Sequence, residues 1–245
     1  MSLITEYKKA FQTGLELFGF KKMKGTNCFG KLINNEILLY VLIKKCSPPD
    51  RGKKAFDIIS GVQTIYSYDL SEYQLGLSGI SLICYNTDTT PYVHDVNFIY
   101  DETSLSAVID KALKQTVDVA IPVLLDVNNL KNSLDFLIKY KLGMLYPVDT
   151  FFRDSVLLII TNNHDTFEDR INWEDKIATR IYSNDPTNEA YINYMKQIKE
   201  IIRNDLVKSR DRVWASRKLQ EELYKEVNRR VENNKKTLIQ YGLLV

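Results

Sequence analysis

The feature that most constrains the fold is an uninterrupted apolar run over residues 37–43, Ile-Leu-Leu-Tyr-Val-Leu-Ile. Successive side chains of a strand point to opposite faces of a sheet, so a run without polar positions has both faces buried. Asn34-Asn35 precedes it, and asparagine tolerates the positive φ of a tight hairpin turn. The pattern predicts strands over 27–33 and 36–45, the second of them central in the sheet.

An amphipathic helix is predicted in front of this sheet, over residues 3–18. Apolar residues recur there every three or four positions, as they do on one face of a helix: Ile4, Tyr7, Phe11, Leu15 and Phe18. Gly19 follows, where a left-handed C-terminal cap is expected. Phe20 then returns the chain toward the core, while Lys21, Lys22 and Lys24 are expected to stay in water.

Three more strands are predicted, near residues 56–65, 80–85 and 92–99. The segment 47–52 contains two prolines and a glycine, which cannot lie inside a ladder of paired strands and therefore form a loop. Because the connections are short, the sheet is expected to be mainly antiparallel.

The pattern becomes helical after residue 100. Asp101 or Thr103 can cap a helix with apolar positions over 105–113, and Pro122 is expected to limit it. A second helix follows. Residues 155–161 fit either a buried strand or the start of a helix, and their β-branched content favours the strand.

The C-terminal region is predicted to be helical from Asp185-Pro186 to Gly242. A single helix of about 55 residues would be roughly 80 Å long, more than twice the width of a small domain. The apolar stripe is interrupted at 208–212, which predicts a helix-turn-helix hairpin or a long bent helix. The fold class is therefore α+β. A sheet domain over 1–145 is followed by a mostly helical region over 146–245, as a separate unit or as part of the same domain.

Composition predicts a globular cytoplasmic protein. Hydrophobic residues make up 44% and charged residues 26% of the chain, close to the average for globular domains. There is no apolar stretch of about 18 residues, and the first residues lack the basic start of a signal peptide. The three widely spaced cysteines, Cys28, Cys46 and Cys84, favour buried free thiols in a reducing compartment.

Charge is distributed in three blocks. The net charge is +7 over residues 1–54, −10 over 55–188 and +5 over 189–245. Either these blocks neutralise one another within the fold, or separate faces meet different partners.

Motifs for catalysis are weak. The two histidines occur as His94-Asp95 and His164-Asp165, and a histidine–aspartate pair could hold a cation in a metal-dependent phosphohydrolase. Exposed polar residues in loops are the preferred interpretation. A nuclease core with a carboxylate and a distant lysine could include Asp57, but such a motif is too short to predict a nuclease. No nucleophile elbow or phosphate-binding loop is present. We therefore predict no catalytic residue, no cofactor and no metal ligand, and an enzyme is the less favoured class.

The last helical stretch offers an alternative, nucleic-acid binding, because guanidinium groups suit phosphates. The candidate residues are Arg210, Arg212, Arg217, Lys218, Arg229 and Arg230. Glutamates on the same turns can pair with these cations at a spacing of four residues. A salt-bridged, solvated helix face is therefore the competing interpretation.

The opening resembles a bacterial family of uncharacterised domains. The resemblance is carried by a helix, the turn Gly19-Phe20-Lys21-Lys22 and the strand sequence Asn27-Cys28-Phe29-Gly30-Lys31, over roughly residues 5–100. It implies a β-meander after the helix. Some members of that family are thought to be immunity proteins encoded beside secreted toxins. The resemblance brings no catalytic residues with it.

The preferred functional hypothesis is a non-enzymatic, cytoplasmic protein-binding module, with immunity-like neutralisation of a toxin as one form. The acidic middle block could mimic nucleic acid to a basic partner. The alternatives are nucleic-acid binding through the C-terminal helices and a phosphohydrolase using His164 and Asp165. A protein partner is expected and a membrane is not, while association of copies through the C-terminal helices is left open.

Overall fold

The computed structural model describes residues 2–47, 52–67, 69–84, 98–133, 136 and 216–245. Its centre is a five-stranded antiparallel meander in the order β1-β2-β3-β4-β5. The strands are β1 (Lys21–Lys22), β2 (Cys28–Ile33), β3 (Ile37–Cys46), β4 (Lys54–Thr64) and β5 (Phe98–Tyr100). With helices packed on it, the sheet gives the predicted α+β fold.

Strand β3 is the central strand, as the apolar run predicts. It pairs along its full length with β4, from Ile37 opposite Thr64 to Cys46 opposite Ala55. The turn that leads into it has φ of 51° at Asn34 and 58° at Asn35, which confirms the predicted hairpin. Both faces of β3 are buried over residues 37–43, because helices cover the sheet on both sides.

The first face of the sheet packs against helices α1 (Leu3–Glu16) and α3 (Leu105–Gln115). Tyr7, Phe11 and Leu15 of α1 are fully buried against strand residues such as Phe29. The ring centroids of Tyr7 and Phe29 lie 5.6 Å apart in an edge-on arrangement. The predicted helix face thus forms the larger of the two hydrophobic cores.

The second face of the sheet is covered by α2 (Glu72–Ser78) and by the helix Arg217–Gln240, hereafter the C-terminal helix. Leu238 of that helix is fully buried in the second core, together with Leu38 and Tyr40 of β3. The side-chain amide of Asn234 donates to the carbonyls of Ile65 (2.9 Å) and Ser67 (2.7 Å). These bonds join the end of the chain to the turn after β4.

Two predicted elements differ from the structure. Residues 80–85 are predicted to form a strand, but within the described part, 80–84, only Ile80 pairs, through a single bridge to Ser60, and Leu82–Cys84 forms one 3-10 turn. Pro122 does not limit the helix that begins at Leu105. A π-helical turn, Thr116–Ala120, intervenes, and Pro122 then lies in the first turn of α4 (Ile121–Leu125), so the helical path continues past the proline.

Several predictions fall on residues outside the described ranges: the strand over 155–161, the bend at 208–212 and most of the strand over 92–99. The C-terminal helix ends at Gln240, and Gly242, two residues later, has a φ of +74°, close to the predicted end. Within the described residues, no helix is both long and apolar enough to cross a membrane.

Candidate binding cleft

The helix–turn–strand opening, which carries the family resemblance, has a structural role at each position. Gly19 has a φ of +80° and ends α1 with the left-handed cap expected of it. Phe20 is fully buried in the first core. The ammonium of Lys31 on β2 donates to the carbonyl of Phe18 at 3.0 Å, so it caps the carbonyl end of α1.

Lys22 is also used in the structure and is not free in water, contrary to expectation. Its ammonium donates to the carbonyls of Met23 (2.9 Å) and Thr26 and lies 6.0 Å from the centroid of the Phe29 ring. Burial, followed by the charge of Lys8, lowers the pKa of Lys22. Two lysines of the opening therefore stabilise the turn by bonding to backbone carbonyls.

The basic residues predicted on the C-terminal helix are paired with glutamates wherever the structure describes them. Arg217 bonds to Glu221 (3.1 Å), and Lys218 lies 4.0 Å from Glu222. Arg229 and Arg230 both contact Glu226, at 2.7 and 2.9 Å, and Arg230 is itself buried. Arg210 and Arg212 lie outside the described residues.

Glu226 is the most strongly perturbed carboxyl of this helix. Hydrogen bonding from Arg229, assisted by Arg230, lowers the pKa of Glu226 to about 2 despite the opposing effect of partial burial. These ion pairs match the salt-bridged, solvated helix face, which is the interpretation that competes with nucleic-acid binding. Binding by the six candidate residues stays a prediction.

The histidine–aspartate pairs, His94-Asp95 and His164-Asp165, lie outside the described residues. In the part of the chain that the structure describes, no group of three or more His, Cys, Asp or Glu side chains could hold a metal ion. Asp57 is buried in β4, where its carboxylate accepts from the amide of Ile58 (2.7 Å) and the hydroxyl of Ser81 (2.9 Å).

A cleft of about 680 Å³ opens at the end of the sheet where β3 ends and β4 begins. Five elements meet there, because antiparallel pairing and the helix packing bring the starts of α1 and α3 beside the end of β5. The residues that line the cleft are Ser2, Leu3, Lys45, Cys46, Lys53, Lys54, Ala55, Tyr100, Glu102 and Leu105. We refer to it as the lysine cleft.

The lysine cleft is positively charged. Lys45, Lys53 and Lys54 contribute three ammonium groups, and Glu102 is the one acid among the described lining residues. Lys45 and Lys54 are exposed and have no ion-pair partner within the described ranges. Uncompensated cations in a concave site raise the local concentration of anions.

The floor of the cleft is aromatic and firmly packed. The ring of Tyr100 lies 5.8 Å from that of Phe56, which in turn stacks on Phe98 at 5.2 Å. Burial raises the pKa of Tyr100 above its ordinary value. Cys46, expected to be buried, is half-buried at the rim and forms no disulfide.

The far wall is held by a turn centred on Asp101. Its carboxylate accepts hydrogen bonds from the amides of Thr103 and Ser104, both at 2.9 Å, and from both hydroxyl groups. These bonds lower the pKa of Asp101 to about 2. The N-cap residue of α3 is Ser104, so the prediction that Asp101 or Thr103 caps this helix is wrong; Asp101 instead organises the turn just before it.

The +7 block is evident in the sequence, but the lysine cleft was not predicted from it. The signal was present: Lys44-Lys45 and Lys53-Lys54 flank the loop over 47–52 almost symmetrically. In a hairpin the residues before and after a loop become neighbours, and the observed register places Cys46 opposite Ala55. No local pattern in the sequence indicates that Ser2, Tyr100 and Glu102 line the cleft.

Comparison with known proteins adds no assignment: the chain matches no protein-family model, no curated protein and no solved structure.

Proposed function

We propose that this chain is a non-enzymatic protein-binding module of the bacterial cytoplasm, and that an acidic segment of a partner protein binds in the lysine cleft. Neutralisation of a toxin, as the resemblance of residues 5–100 implies, is the biological role that we propose for this binding. The observation that carries the proposal is a concave, firmly packed site with three lysines and one glutamate.

Shape and chemistry favour a peptide segment as the occupant. The lysine ammonium groups can attract carboxylates, while Leu3, Ala55 and Leu105 provide an apolar wall for the side chains between them. Charges of this kind mainly increase the association rate and select the partner, and the apolar contacts lower the dissociation rate.

The two alternatives rest on other parts of the chain. Nucleic-acid binding through the C-terminal helix would have to compete with the glutamate pairs of Arg217, Lys218, Arg229 and Arg230. The phosphohydrolase hypothesis depends on His164 and Asp165, and a metal analysis of the purified protein tests it directly.

Site-specific photo-crosslinking in the native host tests the proposal. A photoreactive amino acid replaces Glu102 in the cleft, and the matched control replaces Asp110, another exposed acid, on α3 but outside the lining. We expect an adduct to one protein from position 102 only, lost at high salt, with the crosslink in a segment rich in Asp and Glu.

Two results would overturn the proposal. Equal adducts from positions 102 and 110 would show that the cleft is not the contact. Adducts from position 102 that nuclease removes would assign the cleft to nucleic acid. If a toxin gene lies beside the gene for this chain, its product is the expected adduct.

A further inference from the structure

Tyr100 lines the lysine cleft with a polar atom that has no partner among the described residues. The residue is 8% exposed, and its ring lies 5.8 Å from that of Phe56. The buried tyrosines Tyr7 and Tyr40 each donate to a backbone carbonyl, whereas the Tyr100 hydroxyl makes no hydrogen bond within the described ranges. A buried hydroxyl without a partner is unfavourable, because it has lost its hydrogen bonds to water. A ligand that accepts its hydrogen bond explains such a group in the floor of a cleft.

The start of α1 brings further unpaired donors to the same cleft. The amides of Leu3 and Ile4, at the beginning of a 14-residue helix, have no acceptor within the described ranges. Ser2 and Leu3 line the cleft together with Tyr100. The positive end of the helix dipole also lies there, so a negatively charged acceptor is favoured at this place. The Tyr100 hydroxyl can donate or accept, and beside these groups we expect it to donate.

We propose that Tyr100 is the residue that recognises the acidic segment, with its hydroxyl donating a hydrogen bond to a carboxylate oxygen of the partner beside the start of α1. The inference rests on the proposed function and divides the work between two kinds of group. Exposed lysine ammonium groups attract any anion, and salt screens them. The hydroxyl is held in place by its packed ring, so it selects a ligand that positions an acceptor opposite it.

Tyr100→Phe tests the inference, because it removes the hydroxyl and keeps the ring that packs against Phe56. The probe is a labelled polyglutamate peptide, and fluorescence anisotropy measures its affinity for the full chain. We expect Tyr100→Phe to bind the peptide about three- to tenfold more weakly, the effect of losing one hydrogen bond. The matched control is Tyr73→Phe. Tyr73 is exposed on α2, outside the cleft lining, and its substitution should leave the affinity unchanged.

Salt dependence separates the hydroxyl from the lysines. A neutral donor is not screened, so Tyr100→Phe should weaken binding by the same factor at low and at physiological salt. The combined Lys45→Gln and Lys54→Gln variant should instead make the affinity less sensitive to salt. A loss in Tyr100→Phe that disappears as salt is added would show that the substitution acts through the charges, and it would contradict the direct hydrogen bond.

The stability of the free protein supplies a readout that a purely structural role would move in the opposite direction. Since the Tyr100 hydroxyl has no partner in the described fold, its removal should leave the free energy of unfolding unchanged or raise it. Urea denaturation of Tyr100→Phe measures this. A clear loss of stability would mean that the hydroxyl bonds within the fold, and the inference would then be wrong.

The outcomes distinguish this inference from the proposed function. If polyglutamate binds through the lysines but binds Tyr100→Phe as tightly as the unaltered protein, the role of Tyr100 is overturned and the proposed function stands. Equal weakening by Tyr100→Phe and Tyr73→Phe also overturns the role of Tyr100. If the unaltered protein does not bind the peptide, the proposed function fails, and this inference fails with it.

Discussion

Four lysines of the first 54 residues show two uses of the same side chain. Lys22 and Lys31 donate to backbone carbonyls at the turn after α1. Lys45 and Lys54 lie at the other end of the strands and line a cleft. The same residue type therefore stabilises the fold in one place and, in the other, supplies charge that has no ion-pair partner among the described residues.

Replacing Lys31 with methionine should lower the free energy of unfolding by about 1 kcal/mol, because the carbonyl of Phe18 loses a charged donor while the apolar stem is kept. Lys9→Met on the exposed side of α1 is the control and should change stability by less than about 0.5 kcal/mol. Urea denaturation measures both variants. Equal effects would contradict the capping role.

Gly76, inside α2, and Gly79, just after it, should respond oppositely to substitution by alanine. A Cβ at Gly79 would lie 2.0 Å from Cγ2 of Ile59, whereas a Cβ at Gly76, inside α2, meets nothing within 4 Å. We expect Gly79→Ala to destabilise the protein by about 1–3 kcal/mol and Gly76→Ala to stabilise it by up to about 1 kcal/mol.

A double mutant identifies the cause. Ile59→Leu removes the methyl branch on Cβ and should recover part of the loss in Gly79→Ala, as a positive coupling in a thermodynamic cycle. Strict additivity of the two substitutions would show that the close contact is not responsible.

Among the secondary-structure elements, the C-terminal helix is bonded to the turn after β4 through one side-chain amide, in addition to the packing of Leu238. Asn234 donates both of its described hydrogen bonds to carbonyls of the turn after β4. Asn234→Ala leaves the carbonyls of Ile65 and Ser67 without this donor and should cost about 2–3 kcal/mol. The neighbouring Asn233→Ala, at an exposed position, should cost less than about 0.5 kcal/mol.

Hydrogen exchange supplies the second readout for this helix. In Asn234→Ala the amides of the C-terminal helix should lose protection before those of β3 do. Uniform loss of protection over the helix and the sheet would mean that the amide stabilises the whole core and does not attach one element.

The start of α3 should make stability sensitive to acid. Folding lowers the pKa of Asp101 from its ordinary value of 3.8 to about 2. The charged carboxylate therefore stabilises the fold above about pH 4, and this contribution is lost as the pH falls toward 2. Asp101→Asn can still accept a hydrogen bond but does not titrate, so its stability should fall less steeply between pH 4 and 2. An unchanged acid limb would contradict the role of this carboxylate.

The elements that could be predicted are those whose signal is local. The unbroken apolar run of β3, the asparagine pair before it and Gly19 each reflect a physical requirement of their own position. The seven-residue α2 is too short to show a helical period. Residues 80–85 are apolar enough for a strand, but among the described residues 80–84 only Ile80 pairs with a strand, at Ser60, which no local pattern reveals.

The cleft could be predicted only in part, for a related reason. The hairpin register places Lys45 opposite Phe56, two residues from Lys54 on the same strand face, and the hairpin itself was predictable from the sequence. The rest of the lining comes from Ser2 and from the segment around Tyr100, more than 40 residues away on either side. Such contacts arise from packing of whole elements and leave no motif.

For the whole molecule, we predict that charge at one end of the sheet determines binding. The lysine cleft concentrates positive charge, whereas the described cations of the C-terminal helix at Arg217, Lys218, Arg229 and Arg230 pair with glutamates. Loss of affinity with added salt is expected for a site of this kind, because exposed charges are screened within about 10 Å at 0.1 M ionic strength.

Binding of acidic segments in the lysine cleft is tested most directly by fluorescence anisotropy of a labelled polyglutamate peptide at low salt. The comparison is between the unaltered protein, the combined Lys45→Gln, Lys53→Gln and Lys54→Gln variant, and the combined Lys9→Gln, Lys111→Gln and Lys236→Gln control. We expect the unaltered protein and the control to bind the peptide, and the cleft variant to bind it at least about tenfold more weakly. Equal affinity of the cleft variant and the control, or no binding by the unaltered protein, would contradict binding in the cleft.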